Sequence, residues 1–166
     1  MWQNPTGFAA ATPDLYRGRT FVLCPTARTT PAITATAQQL ITWVEARPIT
    51  LSPTEHDAIV ATTSHLPYLV AANLMAVVAA AAAPQPHLYP VSAAGLYDTT
   101  RLAASDPAMM LDILLTNRTA VLERLDETLA GLQEVKQWLS EENAAALRQW
   151  LETRQGERLH YEVNRS

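Results

Sequence analysis

Residues 95–107 read GLYDTTRLAASDP. One arginine, Arg101, stands among Asp98, Thr99, Thr100 and Asp106, with apolar sequence on both sides. Arginine is seldom buried without a partner. Lying between an alanine-rich stretch and a long helical pattern, its guanidinium is expected to be partly desolvated. Either Asp98 or Asp106 neutralises it, or these groups hold the planar fork and present it to an anionic ligand. A guanidinium meets a carboxylate through two parallel hydrogen bonds, so the second reading points to a small organic acid.

A second cluster is His56-Asp57 with Ser64-His65-Leu66-Pro67-Tyr68. At spacings of three and four, Asp57, Ala61, Ser64 or His65, and Tyr68 share one helix face. A histidine on a mostly apolar helix is more often a hydrogen-bonded core group than a ligand or base. Asp57 suits the start of a helix, where the dipole favours negative charge, and His56 reads as solvated. His56, Asp57 and His65 make a weak metal set, because a catalytic zinc needs three converging ligands. No metal site is expected.

These clusters need elements to hold them. Arg19–Cys24 is a strand candidate stopped by Pro25, and Arg47–Leu51 is a short extended segment confined to a sheet edge by Pro48. Between them, Ile33, Ala37, Leu40, Ile41 and Val44 recur at helical spacing behind Thr30 as N-cap and Pro31. This strand–helix–strand is the kind that ends a nucleotide-binding sheet. No G-x-G-x-x-G occurs in the chain, so the usual phosphate cradle is missing. Ser52-Pro53-Thr54-Glu55 is a capping box that opens a helix running toward Ala83, disturbed at Pro67. From Leu69 to Ala83 that helix is apolar nearly all round, which predicts burial on every side, partly by a second subunit. Pro84, Pro86 and Pro90 make a loop. Asp106 caps a helix with Pro107 at its first position, and the apolar periodicity then runs unbroken to Leu139. A last helix is expected from Ser140-Glu141-Glu142, ended by Gly156, with a frayed polar tail beyond.

The chain has 166 residues, 48% of them hydrophobic, and a net charge of −4. That balance offers no clustered basic face for nucleic acid or an anionic membrane. One cysteine, Cys24, excludes an internal disulfide and fits a reducing compartment. Met1-Trp2-Gln3-Asn4-Pro5 has neither the basic start nor the apolar run of a signal peptide. Leu66–Ala83 contains Pro67 and Asn73 and is rich in alanine, so a buried helix is expected in preference to a membrane span. A cytoplasmic protein is expected.

Read together, these motifs resemble the helical domain of the prephenate/arogenate dehydrogenases. That family's motifs run H-D, S-H-L-P-H, G-F-x-D-x-T-R-I-A and S-D-P-x-M-W-x-D-I, with an asparagine a few residues on. This chain has His56-Asp57, then Ser64 to Tyr68, then Gly95 to Ala103, then Ser105 to Ile113, with Asn117 after. Thr6–Ala11, Asp14–Gly18 and Val22–Pro25 are similar to the segment that follows the family's catalytic histidine. The resemblance covers about residues 1–139. It departs at Tyr68, where histidine is usual, at Leu96-Tyr97, where phenylalanine and a basic residue are frequent, and at Met110, where tryptophan is usual. Less positive charge therefore faces the substrate.

The resemblance implies a mainly α fold: a helical dimerisation domain of long packed helices, preceded by a short β-α-β remnant of a Rossmann-type nucleotide-binding domain. The implied divisions are 1–51, 52–139 and 140–166. The implied chemistry is oxidative decarboxylation of prephenate or arogenate with NAD or NADP in tyrosine biosynthesis. Arg101 falls on the arginine that binds a substrate carboxylate. His65, Tyr68 and Tyr97 would line the same pocket, supported by Asp57, Ser64, Asp98, Thr100 and Asp106. The catalytic histidine and the cofactor fingerprint are not in the chain. The chain alone is therefore expected to bind no cofactor and to be inactive, and to form a homodimer through its helical domain. The alternative is a stand-alone helical dimer that binds a small aromatic or organic acid without redox chemistry.

Overall fold

The computed structural model describes residues 11, 12 and 14–164. The similarity at residues 6–10 therefore lies outside the described residues. The chain forms two compact units, one running to Ser64 and one beginning at His65.

The first unit holds β1 (Thr20–Leu23), α1 (Pro31–Trp43), β2 (Arg47–Thr50) and α2 (Pro53–Val60). The strands are parallel, with Phe21 opposite Pro48 and Val22 opposite Ile49. Parallel neighbours need a crossover, and α1 supplies it. The local signals read in the sequence are in place. Thr30 Oγ1 accepts from the Ile33 amide at 3.4 Å, and Ser52 Oγ accepts from the Glu55 amide at 3.1 Å. After α1 the chain turns through Glu45, whose φ is 55°. Its carbonyl accepts from the Gly18 amide at 2.8 Å. Its carboxylate takes the Arg17 fork at 2.9 and 3.0 Å. Ile41 and Ala46 are the buried residues of this strand–helix–strand.

A π-helical turn, Ala61–His65, follows α2, and its last residue opens the second unit. Proline is the cause the sequence offers. Pro67 has no N–H to give, and its ring crowds the carbonyl four residues back. A widened turn just before it relieves both conflicts. The second unit continues with α3 (Leu66–Ala82), α4 (Ala94–Thr100), a 3₁₀ turn (Arg101–Ala104), α5 (Pro107–Thr116), α6 (Arg118–Ser140) and α7 (Ala144–Asn164). The 3₁₀ turn, α4 and α6 pack on α3, α5 packs on α6, and α7 packs on α6. The mainly α fold with a short β-α-β is the one expected.

Several expectations are corrected here. The single long helix from Asp106 to Leu139 is two, broken at Asn117, whose backbone sits at φ −103°, ψ 28°. The last helix starts later than Ser140: Asn143 caps it, Oδ1 accepting from the Ala146 amide at 3.1 Å. It also runs through Gly156 to Asn164. The Arg154–Glu157 and Arg158–Glu162 pairs, at 2.9 and 2.8 Å, bracket that glycine and offset part of its cost in a helix. Within the single chain, α3 leaves an apolar face exposed, the one a second subunit is expected to cover. Ala71 is buried, while Val77 is 60% exposed and Asn73 is exposed too. By length and composition alone, the helical run Pro53–Ala82 would suffice to cross a membrane.

Candidate functional site

His65 is the one buried polar or charged residue among those described, at 7% exposure. The π turn sets it on the inner side of its helix. Asn117 reaches it from the α5–α6 junction: Nδ2 of the amide lies 3.3 Å from Nδ1 of the ring. Asparagine suits a helix break because its side chain competes for local hydrogen bonds. The helical ladder nonetheless continues through the bend. The Asn117 amide bonds to the Ile113 carbonyl at 3.1 Å, and its carbonyl accepts from the Val121 amide at 3.1 Å. Sequence spacing assigns Asn117 no role, because the apolar periodicity runs on across it.

Arg101 opens the 3₁₀ turn that packs on α3. It is exposed, so the expected partial desolvation is corrected. Among the described residues its guanidinium makes no hydrogen bond or ion pair, so Asp98, Thr100 and Asp106 do not clasp it. They have other tasks or none. Thr100 Oγ1 donates to the Leu96 carbonyl at 2.7 Å, Asp106 caps α5 through the Met109 amide at 2.8 Å, and Asp98 faces solvent. The reading in which a neighbouring aspartate neutralises Arg101 falls by the same observation. What remains is a cation with its full hydrogen-bonding capacity, on a turn seated against α3.

Tyr68 is half-buried on α3, and Tyr97 is 64% exposed on α4. Met110, where the motif has tryptophan, is buried at 6% and belongs to the core of the second unit. In the first unit, Ser64 is exposed. His56 is half-exposed rather than fully solvated, with its Nδ1 3.0 Å from Asp57 Oδ1. No group of three or more His, Cys, Asp or Glu side chains gathers among the described residues.

The β1–α1 connection is closed by its own threonines. It reads Cys24-Pro25-Thr26-Ala27-Arg28-Thr29-Thr30, without glycine. Three amides in and just after it bond threonine hydroxyls. Thr26 N–H bonds Thr29 Oγ1 at 3.0 Å, Arg28 N–H bonds Thr26 Oγ1 at 3.3 Å, and Ile33 N–H bonds Thr30.

Residues 52–153 match the family described as "Prephenate dehydrogenase, dimerization domain". The chain is 32% identical over 158 residues to the prephenate dehydrogenase of Bacillus subtilis, covering 90% of this chain and 40% of that one. It is 31% identical over 131 residues to the cyclohexadienyl dehydrogenase of Zymomonas mobilis, covering 78% and 43%. It thus spans less than half the length of these curated relatives. Among solved structures, it is similar to prephenate dehydrogenase from A. aeolicus in complex with hydroxyphenyl propionate and NAD+. The TM-score there is 0.86 at 26% identity, over 95% of this chain and 55% of that one. Synechocystis arogenate dehydrogenase gives a TM-score of 0.81 at 25% identity, over 93% and 56%.

Proposed function

The chain belongs to the prephenate dehydrogenase family through its dimerization domain, and from that membership we propose that it is the substrate-gripping, dimer-forming part of a prephenate or arogenate dehydrogenase. The observation that carries this reading is Arg101: an exposed guanidinium with no protein partner among the described residues, held on a turn against α3. Such a group is available to take a substrate carboxylate through paired bonds. His65 and Tyr68 contribute a hydrogen-bonding ring and a half-buried phenol from α3 and the turn before it. Tyr97 replaces the more basic residue frequent in the family, so the carboxylate's charge rests mainly on Arg101.

Hydride acceptance needs NAD or NADP, and the sequence carries no G-x-G-x-x-G to hold either. Turnover by this chain alone is not expected.

Dimerisation follows from α6. Its inner seam, Val121, Thr128 and Val135, is buried or half-buried within the chain. A second seam points outward: Leu122, Leu129, Leu132 and Leu139 are 48–61% exposed. Their spacing of seven, three and seven is that of a helix which packs along another helix. We assign a second copy to this seam and to the exposed apolar face of α3. Asn73 argues against lipid there, since an amide facing hydrocarbon is costly.

Titrating hydroxyphenyl propionate into the chain by calorimetry tests the reading, with saturable binding expected. Prephenate or arogenate with NAD or NADP should yield no reduced cofactor from the chain alone. Absence of acid binding by a dimeric sample would contradict the proposal. Should the acid bind while relatives' nucleotide-binding parts, supplied in trans, restore no turnover, a non-redox acid-binding dimer would be the better description.

A further inference from the structure

We propose that Asn117 is a positioning residue for His65, fixing the ring tautomer whose proton sits on Nε2. This rests on the reading of His65 as a pocket group. Two irregularities meet at one hydrogen bond. On one side, the buried ring of His65 ends the π turn Ala61–His65. On the other, the α5–α6 bend at Asn117 delivers an amide to Nδ1 at 3.3 Å. The apolar periodicity from Pro107 to Leu139 would run straight through position 117, and π turns recur where a side chain must be aimed.

The chemistry follows from the donor inventory. An amide nitrogen only donates, so Nδ1 of His65 must accept. In the neutral ring the proton then sits on Nε2, which can donate to an oxygen of an acidic ligand. The opposite tautomer would present a bare lone pair at Nε2 and repel that oxygen. Asn117 touches no ligand in this scheme and acts only through His65.

Two-bond ¹H–¹⁵N spectra of the imidazole rings, recorded on the whole chain in mildly alkaline buffer, read the tautomer directly. His65→Gln identifies the His65 signals among the four histidines. Wild type should show Nε2–H. Asn117→Asp is isosteric and its carboxylate only accepts, so it should move the proton to Nδ1. Asn117→Ser keeps a small residue at the helix junction but shortens the reach, and should give a mixture. A wild-type ring protonated on Nδ1 overturns the proposal. So does an Nε2–H pattern unchanged in Asn117→Ser, which decides the matter if the aspartate variant does not fold. Hydroxyphenyl propionate binding separates this inference from the pocket reading. Both His65→Gln and Asn117→Asp should weaken it about tenfold, the value of one hydrogen bond. The expected tautomers with unchanged affinity would sink the pocket role of His65 and leave the tautomer control standing.

Discussion

His65 and Asn117 lie 52 positions apart in the chain and 3.3 Å apart at their side-chain nitrogens. The pair joins the start of α3 to the hinge between α5 and α6. A buried imidazole without partners would cost about 1–3 kcal/mol, so this bond stabilises the fold as well as aiming the ring. It lies where the π turn that precedes Pro67 meets the break between α5 and α6.

Pro67 is the source of the first distortion. Pro67→Ala restores an amide donor and removes the ring clash, so the π turn should relax toward a regular helix. Stability should rise by up to about 3 kcal/mol. The cost falls on the site, because His65 would rotate away from Asn117. Urea unfolding and calorimetry with hydroxyphenyl propionate check the pair of effects. A variant that is stabilised and binds as tightly as wild type would show that the π turn does not serve the site.

The outward seam of α6 makes a quantitative claim about association. Leu129 and Leu132 are 49% and 60% exposed in the single chain, so changing them to glutamate should hardly affect its folding. If they are covered by a second copy, each leucine contributes about 1.5–3 kcal/mol. Leu129→Glu with Leu132→Glu should then weaken the dimer on the order of 10⁴-fold, with helical content retained. Sedimentation equilibrium measures it. A dimer of unchanged affinity would place the interface elsewhere.

Gly156 offers a control remote from the site. It sits within α7, and a methyl group built there meets nothing within 4 Å. Gly156→Ala should strengthen the helix by about 0.5–1 kcal/mol. Slower amide exchange across α7 would register this, with ligand binding unaffected. Faster exchange would mean that α7 is not helical through that point in solution.

What the sequence disclosed, and what it hid, divides by range. Thr30, Ser52 and Asp106 were readable as caps because each bonds an amide three residues on, a contact that local order alone specifies. The β1–α1–β2 unit and the families of apolar positions were readable for the same reason. The break at Asn117 was hidden because apolar spacing continues across it and its side-chain partner lies 52 residues away. Gly156 misled because surface ion pairs and the ring contacts of Arg154 with Trp150 and Arg158 with Tyr161 hold the helix past it. The motif offers Arg101 and His65 as candidates, but the clasp of aspartates around Arg101 rests only on proximity in sequence. Asp106 is engaged instead by the helix it caps, and Asp98 faces water.

The account turns on Arg101 taking a carboxylate. Calorimetric titration of hydroxyphenyl propionate into wild type, Arg101→Lys and Arg101→Ala is the most direct test. Loss of the charge-assisted pair should cost about 1.5–3 kcal/mol in the alanine variant, with lysine recovering only part because it lacks the planar fork. Equal affinities in all three proteins would contradict the account.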